Sequence, residues 1–508
     1  MCYWIYLRLR VFCFSLEEIL IGLEEFIMTL KTGQEYIESI KKMRPNVYKF
    51  GKLIEDVTKD PNTKFQIEFI AKCYDKSFEE ESRALFTTTS HLSGKPVHRW
   101  NSLMQTAEDV INDAKMKREQ YHICGACPAA TCVGWSALNA LWSATYDCDK
   151  ECGTKYHERL KAYWQYMEDN ALALSGAITD AKGNRTKKAS EQPYINANVH
   201  VEEVKDDGII VSGYKVQIAG VSSANEIIVV PGTGYKESDK DFAVAFAVPR
   251  DAEGITVVET RRPSDTRECE DGWDAPHSGN GTEAFILMDK VFVPNERVFM
   301  CREYKYSGKF IANFAAYYRS AIGGCGAGQG DIIMGAALNM ARANGIPEKV
   351  FREKLLRISI NNETMFGVGL GAIVLGTQHP SGAWIPDPLL AHVNKTLLAT
   401  LPYSTKQSAF DIAGGIGETG CFPSYLDFQS PEYGDKLKEA LAAGWSGEDR
   451  AKMARLLEWV TYGGACTAFI HGGGSPDGAK LTINAYTKWE ERACDACRIA
   501  HVKKDNAE

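Results

Sequence analysis

Residues 200–215 read HVEEVKDDGIIVSGYK and carry the clearest structural signal in the chain. Two runs rich in β-branched residues flank Lys-Asp-Asp-Gly, and an Asp-Gly pair readily supplies the positive φ angles of a tight turn. We therefore predict an antiparallel hairpin. Further short alternating segments follow up to residue 299, among them NEIIVVPG, DFAVAFAVP and EAFILMDKVFVP. Together they predict a β domain of roughly one hundred residues.

Helical patterns precede and follow this β-rich region. Apolar residues recur at three- and four-residue intervals in GQEYIESIKKM (33–43) and in KVFREKLLRISINNETMF (349–366). We predict an α+β fold with an N-terminal helical domain at 28–165, a β domain at 166–300 and a C-terminal helical bundle at 301–508. Acyl-CoA-dehydrogenase-like flavoproteins have the same order of layers, which is an analogy of fold and not of reaction.

The composition excludes several classes of protein. The 508 residues carry a net charge of −8 and 44% hydrophobic side chains, with no membrane-spanning apolar run and no basic surface for nucleic acid. Fifteen irregularly spaced cysteines do not resemble a secreted disulfide framework, so we expect a reducing cytoplasm. Residues 1–27 lack a signal-peptide cleavage site, and we expect them to be an upstream extension before Met28, with an amphipathic helix as the alternative.

Six stretches together carry a family resemblance. They are GAITDAKGNR (176–185), HVEEVKDDGIIVSGYK (200–215), TEAFILMDKVFVPNERVFMCREY (282–304), YYRSAIGGCGAGQGD (317–331), DIAGG (411–415) and HGGGSP (471–476). In this order they resemble the 4-hydroxybutyryl-CoA dehydratase family, whose superfamily also contains the large component of 4-hydroxyphenylacetate 3-monooxygenase. The resemblance implies an FAD enzyme, assembled as a homotetramer, that dehydrates a short-chain acyl-CoA or moves its double bond, as a vinylacetyl-CoA isomerase does.

The segment ITDAKGNR at 178–185 resembles the flavin-binding motif of this family. The resemblance implies that FAD contacts Thr179, Asp180, Lys182, Gly183, Asn184 and Arg185. It also implies contacts at Gln217 and at Ala219, which stands where the family has a threonine beside the flavin. Glycine permits close backbone approach, and the two cations can neutralise a diphosphate. Taken alone, such a stretch is also typical of a solvated basic turn.

Three cysteines match positions at which the family binds a [4Fe-4S] cluster. Cys127 and Cys132 lie in HICGACPAATC (122–132), with one residue more between them than in the family. Cys325 lies in a glycine-rich stretch that we predict to be a bend. Thiolates from distant segments that meet at one point are typical of iron–sulfur sites. The alternative for each is a buried reduced thiol, because free cysteine is among the most buried residue types.

Three residues are candidates for proton transfer. Glu283 matches a family carboxylate. Tyr318 stands where the family has a histidine that is both cluster ligand and base, and tyrosine is a poor base near neutral pH because its ordinary pKa is about 10. His471 lies in HGGGSP, with a capping or core role as the alternative. Ala468 replaces a family acidic residue just before that stretch.

Two other functions remain open. A phenol hydroxylase of the 4-hydroxyphenylacetate 3-monooxygenase type would carry a histidine where this chain has Gly176. It would also carry a tyrosine that orients the phenol near GKPVHRW (94–100), and this chain has no clear tyrosine beside that stretch. His98 and Arg99 in that stretch border the substrate in relatives of the family. A degenerate flavin-binding subunit, retained for assembly, is the third possibility because three polar positions of the family are changed here. Acyl-CoA chemistry of the dehydratase type is the function that we expect.

Overall fold

The computed structural model describes residues 29–261, 283–461 and 469–502. This part of the chain divides into two compact units. The first comprises residues 29–105, 126–261 and 283–311, and the second comprises residues 106–125, 312–461 and 469–502. The boundaries of the three predicted domains stay a prediction, and the extension expected at residues 1–27 lies outside the described residues.

The α-helices lie mainly before residue 170 and after residue 303. They are α1 (Gly33–Lys41), α2 (Lys64–Asp75), α3 (Arg83–Phe86), α4 (Ala107–Cys124), α5 (Val133–Cys152), α6 (Tyr156–Asp169), α7 (Tyr304–Ala343), α8 (Arg352–Val374), α9 (Pro388–Leu398), α10 (Leu401–Thr419), α11 (Tyr425–Phe428), α12 (Gly434–Leu441), α13 (Gly447–Thr461), α14 (Pro476–Tyr486) and α15 (Trp489–Ile499). Local sequence sets their ends, as in α4. There, the side chain of Thr106 accepts a hydrogen bond from the backbone N of Asp109, and Gly125 ends the helix with a φ of 70°.

The strands lie mainly between these helical regions. They are β1 (Val47–Lys49), β2 (Lys52–Ile54), β3 (Thr87–Thr89), β4 (Pro96–His98), β5 (Leu174–Ala177), β6 (His200–Val204), β7 (Gly208–Ala219), β8 (Glu226–Val229), β9 (Val244–Pro249), β10 (Ile255–Glu259), β11 (Glu283–Pro294), β12 (Val298–Cys301), β13 (Thr377–Gln378) and β14 (Trp384–Ile385). One sheet has the order β2-β1-β10-β11-β7-β6, and another has the order β12-β9-β8-β5. The predicted order of helices, strands and helices is confirmed, and with it the α+β class.

The hairpin predicted at residues 200–215 is also confirmed. Strands β6 and β7 are antiparallel, with His200 opposite Ser212. The backbone N of Lys205 donates to the carbonyl oxygen of Gly208 at 2.8 Å and closes the turn. The first six residues of β7 are largely buried, because this strand lies between β6 and β11 in the sheet. The hairpin therefore fixes β7, the strand beside which the candidate site is built.

The bend predicted around Cys325 is wrong, because α7 runs through this residue without a break. The glycines on either side permit close packing of helices instead. A Cβ atom at Gly324 would lie 2.2 Å from the carbonyl oxygen of Ala114 in α4, and one at Gly323 would lie 2.4 Å from that of Met365 in α8. No real Cβ atom approaches an oxygen so closely. The glycine-rich sequence therefore marks a place where α7 touches two other helices.

The other helices of the second unit pack around this contact. Helix α8 packs against α4, α9 and α10, while α9 also packs against α14. Helix α10 packs against α13 as well, so the helical bundle predicted for this part of the chain is present. Within the described residues, none of the helices has both the length and the apolar character needed to cross a membrane.

Candidate active site

The predicted flavin segment, residues 179–185, leaves the buried strand β5 and runs beside β7. Thr179 accepts a hydrogen bond from the backbone N of Val216 at 2.9 Å, and Asp180 forms an isolated β-bridge with Lys215. The side chains of this second pair also meet, since Lys215 Nζ lies 2.8 Å from Asp180 Oδ1. Both side chains are 2% exposed. Asp180 therefore anchors the segment in the interior.

The segment ends in a turn that requires glycine. Lys182 and Gly183 have φ angles of 66° and 57°, in the left-handed region. The side-chain amide of Gln192 donates to the carbonyl oxygen of Asn184 and accepts from its backbone N, both at 2.8 Å. A Cβ atom at Gly183 would lie 2.2 Å from Gln192 Oε1. Gln192 thus fixes the turn, and only glycine at 183 lets it do so.

A cleft of about 440 Å³ opens beside this turn. Its cationic lining residues are Lys182, Arg185, Lys187, Lys188 and Lys236. Two carboxylates also line the cleft, but each already has a partner: Asp180 is paired with Lys215, and Asp239 accepts from the backbone N of Ser190 at 2.9 Å. The surplus of positive charge, together with the glycine-rich loop at 232–236, fits a phosphate-bearing ligand such as a dinucleotide.

Glu283, Ala219 and Gln217 meet at one end of the larger sheet. Glu283 begins β11 and stands opposite Ala219 on β7. Gln217 lies at a β-bulge of the same strand pair, has a φ of 55° and is exposed. Bulges redirect side chains and are frequent beside active sites. Because Val216, the partner of Thr179, is next to Gln217, the flavin segment reaches the same end of the sheet.

The carboxyl group of Glu283 is suited to exchange a proton. The residue is exposed at the beginning of its strand, yet the protein atoms around it partly desolvate the carboxylate. This desolvation raises its pKa above the ordinary value. A carboxyl group with a raised pKa can both accept and donate a proton closer to neutral pH.

In the second unit, Tyr318 packs on the glycine-rich turn that carries His471. A Cβ atom at Gly473 would lie 2.5 Å from Tyr318 Cε1, so glycine is needed for the backbone to reach the ring. The ring of Phe314 stacks on that of Tyr318 with centroids 5.5 Å apart. His471 is exposed on the turn, and Ala468 lies outside the described residues. Two of the predicted catalytic residues thus belong to segments that pack together.

The three predicted cluster ligands are distributed over both units. Cys132 precedes α5 and Cys325 lies in α7, both buried, while Cys127 is partly buried. Orphaned polar atoms stand one turn beyond two of them, since Trp135 Nε1 and the amide of Gln329 are buried without a hydrogen-bond partner within the described chain. Thiolates and N–H donors suit an iron–sulfur cluster. However, the described residues contain no group of three or more His, Cys, Asp or Glu side chains placed to hold a metal.

His98 and Arg99, expected to border the substrate, lie inside the fold instead. His98 is fully buried, is hydrogen-bonded to Ser77 Oγ at 2.7 Å and accepts from the backbone N of Lys31 at 3.0 Å. Burial lowers the pKa of His98 to about 3, so the ring is neutral. Arg99 donates to three carbonyl oxygens of residues 84–87. These contacts make both residues part of the framework.

Gly176 leaves no room for the histidine of a phenol hydroxylase. A Cβ atom at this position would lie 2.9 Å from the backbone N of Gly134, near the beginning of α5. A Cβ atom at Gly134 would in turn lie 2.6 Å from the carbonyl oxygen of Leu174 in β5. Glycine at both positions lets the helix and the strand touch. Packing therefore excludes a larger side chain at residue 176.

Comparison with known families accounts for nearly the whole described chain. Residues 32–300 match the 4-hydroxyphenylacetate 3-hydroxylase N-terminal family, and residues 307–501 match the C-terminal family of the same enzymes. The chain belongs to this family.

Two relatives at 34% identity confirm the resemblance to the dehydratases. The 4-hydroxybutyryl-CoA dehydratase/vinylacetyl-CoA-Δ-isomerase of Clostridium aminobutyricum is 34% identical over 472 residues, which cover 89% of this chain and 96% of that protein. A solved structure of an oxygen-tolerant archaeal 4-hydroxybutyryl-CoA dehydratase from N. maritimus is 34% identical and has a TM-score of 0.90, with 94% of this chain and 96% of that chain covered.

A hydroxylase structure supports the fold alone. The oxygenase component of 4-hydroxyphenylacetate 3-monooxygenase, complexed with FAD and 4-hydroxyphenylacetate, has a TM-score of 0.79 at 22% identity, and the match covers 92% of this chain and 99% of that chain. Within the family, the dehydratases are thus the more similar relatives.

Sequence reasoning missed two parts of the site. The sequence carries no signal for Lys215, because a strand sequence does not reveal a buried partner that lies far away along the chain. The loop GTGYK at 232–236 had a usable signal, since it follows the buried apolar strand β8 and combines glycines with a cation.

Proposed function

We propose that the protein is a flavin-dependent enzyme that acts on a short-chain acyl-CoA, by dehydration or by double-bond isomerisation. The observation that carries this proposal is the 34% identity to 4-hydroxybutyryl-CoA dehydratase/vinylacetyl-CoA-Δ-isomerase across 96% of that enzyme. The cationic cleft and the meeting of Glu283 with Gln217 and Ala219 at one end of the sheet support it.

FAD is the proposed cofactor, and residues 179–185 together with Gln217 and Ala219 are its proposed contacts. Lys182 and Arg185 line the cleft and would neutralise the diphosphate, while the left-handed turn at Gly183 lets the backbone approach. When bound, FAD supplies redox chemistry at the substrate carbons. Asp180 differs from its neighbours, because its pairing with Lys215 makes it a positioning residue.

Three side chains are proposed to serve the substrate. Glu283, with its raised pKa, would hold or take up a proton at a carbon of the acyl chain. Tyr318, fixed between Phe314 and Gly473, would orient the substrate, since a phenol is a weak base. His471 is exposed on the turn against which Tyr318 packs and is the histidine proposed for the active site.

We also propose a [4Fe-4S] cluster and a homotetramer, both on the strength of the family resemblance. Cys127, Cys132 and Cys325 would be the thiolate ligands, and Tyr318 stands in place of the histidine that would complete the set. The buried N–H of Trp135 and amide of Gln329, which have no hydrogen-bond partner within the described chain, support this assignment. No step of the reaction is derived through the cluster, because the described residues do not assemble its ligands.

Loss of flavin on substitution of Arg185 tests the proposal. Arg185→Ala should weaken FAD binding by about tenfold or more, because a charge-assisted hydrogen bond contributes about 1.5–3 kcal/mol. Arg302→Ala is the matched control, since Arg302 is an exposed cation of the same unit that pairs with Asp241 outside the cleft. FAD fluorescence titration gives both affinities, and turnover of 4-hydroxybutyryl-CoA and vinylacetyl-CoA is then measured. Full retention of FAD by Arg185→Ala would contradict the flavin assignment.

The same protein separates the two other functions. Supplied with reduced flavin and oxygen, it should form no catechol from 4-hydroxyphenylacetate, because residue 176 cannot accommodate the hydroxylase histidine. Catechol formation above controls would favour the hydroxylase. Retention of FAD with no turnover of any of these substrates would favour a degenerate flavin-binding subunit.

A further inference from the structure

Two buried cations, Arg319 of α7 and Lys395 of α9, converge on one glycine-rich turn. Lys395 Nζ donates to the carbonyl oxygens of Phe469 and Gly472, each at 2.5 Å, and Arg319 Nε donates to that of Gly473 at 3.1 Å. Arg319 is 8% exposed and Lys395 is 0% exposed. The turn is thus held by two positive charges that are removed from water.

These charges have no counter-ion within the described chain. Burial lowers the pKa of Arg319 to about 10, and burial together with the charge of Arg319 lowers that of Lys395 to about 8. Burial and then Arg319 also lower the pKa of His392 to about 4, so this neighbour is neutral at pH 7; Asp387 acts on His392 in the opposite direction. Two buried like charges without a carboxylate are costly, and pairing with a bound anion would offset this cost.

The guanidinium of Arg319 has N–H donors that lack an acceptor among the described residues. Its Nε has an acceptor, whereas neither of its NH₂ groups has one among the described residues. Glycine at residue 474 leaves the Nη2 edge of the guanidinium uncovered, because a Cβ atom at this position would lie 2.8 Å from Arg319 Nη2. The φ of Gly474 is 95°, which also favours glycine. The planar, five-donor fork of arginine matches phosphate geometry.

We propose that Arg319 and the turn at 472–474 form a binding site for a phosphate-class anion, with Lys395 holding the turn. Helix α14 begins just beyond, but Ser475 already accepts from the backbone N of Asp477 and Gly478, so the guanidinium is the main partner of the anion. The diphosphate of an acyl-CoA and that of FAD both have this chemistry, but the proposed function assigns the FAD diphosphate to the cleft at Lys182 and Arg185, so the acyl-CoA is the source that agrees with it. The choice between these two sources rests on the proposed function, while the site itself does not.

Tyr318 places this site beside the candidate catalytic residues. It directly precedes Arg319 in α7, and its ring packs on Gly473, whose carbonyl oxygen receives the hydrogen bond from Arg319. An anion bound here would therefore lie next to Tyr318 and the turn of His471. A cofactor or substrate held by its diphosphate would be anchored at this side of the second unit.

Calorimetric titration of the full-length protein with inorganic pyrophosphate tests the proposal. Arg319→Gln should weaken pyrophosphate binding by about tenfold or more, from the contribution of charge-assisted hydrogen bonds. Arg342→Gln is the matched control, because Arg342 is on the same helix but is exposed and paired with Glu348. The affinity of this variant for pyrophosphate should be unchanged. CoA is then compared with pantetheine, and FAD with riboflavin. If Arg319→Gln loses affinity for CoA but not for pantetheine, the anion belongs to the acyl-CoA. If it loses affinity for FAD but not for riboflavin, the anion belongs to the cofactor.

Unchanged binding of pyrophosphate, CoA and FAD to Arg319→Gln would overturn the proposal and leave Arg319 as a clamp for the turn. If that variant does not fold, Gly474→Ala decides, because it keeps both cations and covers Nη2. Its control is Gly478→Ala, where a Cβ atom meets nothing within 4 Å. A tenfold loss of pyrophosphate affinity in Gly474→Ala but not in Gly478→Ala supports the site. Equal affinities of the two variants overturn it. Pyrophosphate binding that is lost in Arg319→Gln, in a protein that does not bind CoA, would support the site and contradict the acyl-CoA function.

Discussion

The carboxylate of Asp180 and the ammonium of Lys215 lie 2.8 Å apart in the interior of the first unit. Lys215 Nζ also donates to the carbonyl oxygens of Ile178 and Val230, at 2.9 Å and 2.8 Å, so all three of its protons have acceptors. Burial lowers the pKa of Lys215, and the charge of Asp180 opposes this shift. One ammonium therefore ties together the residues that follow β5 and β8, on which one side of the cleft depends.

Removal of this ammonium should destabilise the protein strongly. Lys215→Met leaves Asp180 buried without its partner, and breaking a buried ion pair in this way costs about 3–5 kcal/mol. The free energy of unfolding, measured by urea titration, should fall by that amount. Lys205→Met is the control, because Lys205 lies in the adjoining hairpin turn, is exposed and contacts Glu203 only at 3.9 Å. Equal effects of the two substitutions would contradict the importance of the buried pair.

Two glycines of α7 should respond oppositely to alanine. Gly324→Ala would force a Cβ atom against the carbonyl oxygen of Ala114, and such overpacking costs about 1–3 kcal/mol. Gly335→Ala, in the same helix, meets nothing within 4 Å and should stabilise the protein by about 0.5–1 kcal/mol through helix propensity. Thermal unfolding of both variants measures the difference. A stabilised Gly324→Ala would mean that α7 and α4 are not in close contact.

The histidine at the end of α4 should make stability depend on pH. His122 Nε2 lies 3.1 Å from Asp331, and this hydrogen bond raises the pKa of His122, although burial opposes it. Burial alone would raise the pKa of Asp331, but hydrogen bonds from His122 and Arg118 outweigh burial. The pKa of Asp331 is therefore lowered, and the carboxylate stays charged. A raised histidine pKa contributes stability that is fully present below the ordinary value of about 6.5 and is lost as the pH rises through the folded-state value.

The urea midpoint of the wild type should therefore fall as the pH rises above about 6.5. His122→Gln should lose this part of the pH dependence, whereas the exposed His501→Gln should keep it. A wild type and a His122→Gln variant with parallel pH profiles would show that the contacts of His122 with Asp331 and Glu119 contribute nothing to the pH dependence of stability.

Local signals were read correctly from the sequence, whereas contacts between distant segments were not. The hairpin at 200–215 was predictable because the Asp-Gly turn and the strands that it joins are adjacent in the chain. The glycines around Cys325 predict a bend, whereas the structure has a helix there, because these glycines make room for the carbonyl oxygen of Ala114 on another helix. The free edge of Arg319 could not be foreseen for the same reason, as it depends on a turn that follows far along the chain.

Substitution of Cys325 separates the proposed cluster from the flavin. If this buried thiol is a cluster ligand, Cys325→Ser should remove most of the iron and acid-labile sulfide from protein prepared without oxygen, because these clusters are held by thiolates and a serine hydroxyl is a weaker ligand. FAD content should be unchanged, since its proposed contacts at 179–185 belong to the other unit. Cys421→Ser is the control, because Cys421 is exposed. Tyr318→His should make the cluster more resistant to air, as it restores a common type of metal ligand. Wild-type protein that contains FAD but neither iron nor sulfide would make these cysteines plain thiols, and the protein would then be a cluster-free flavoenzyme closer to an acyl-CoA isomerase than to a dehydratase.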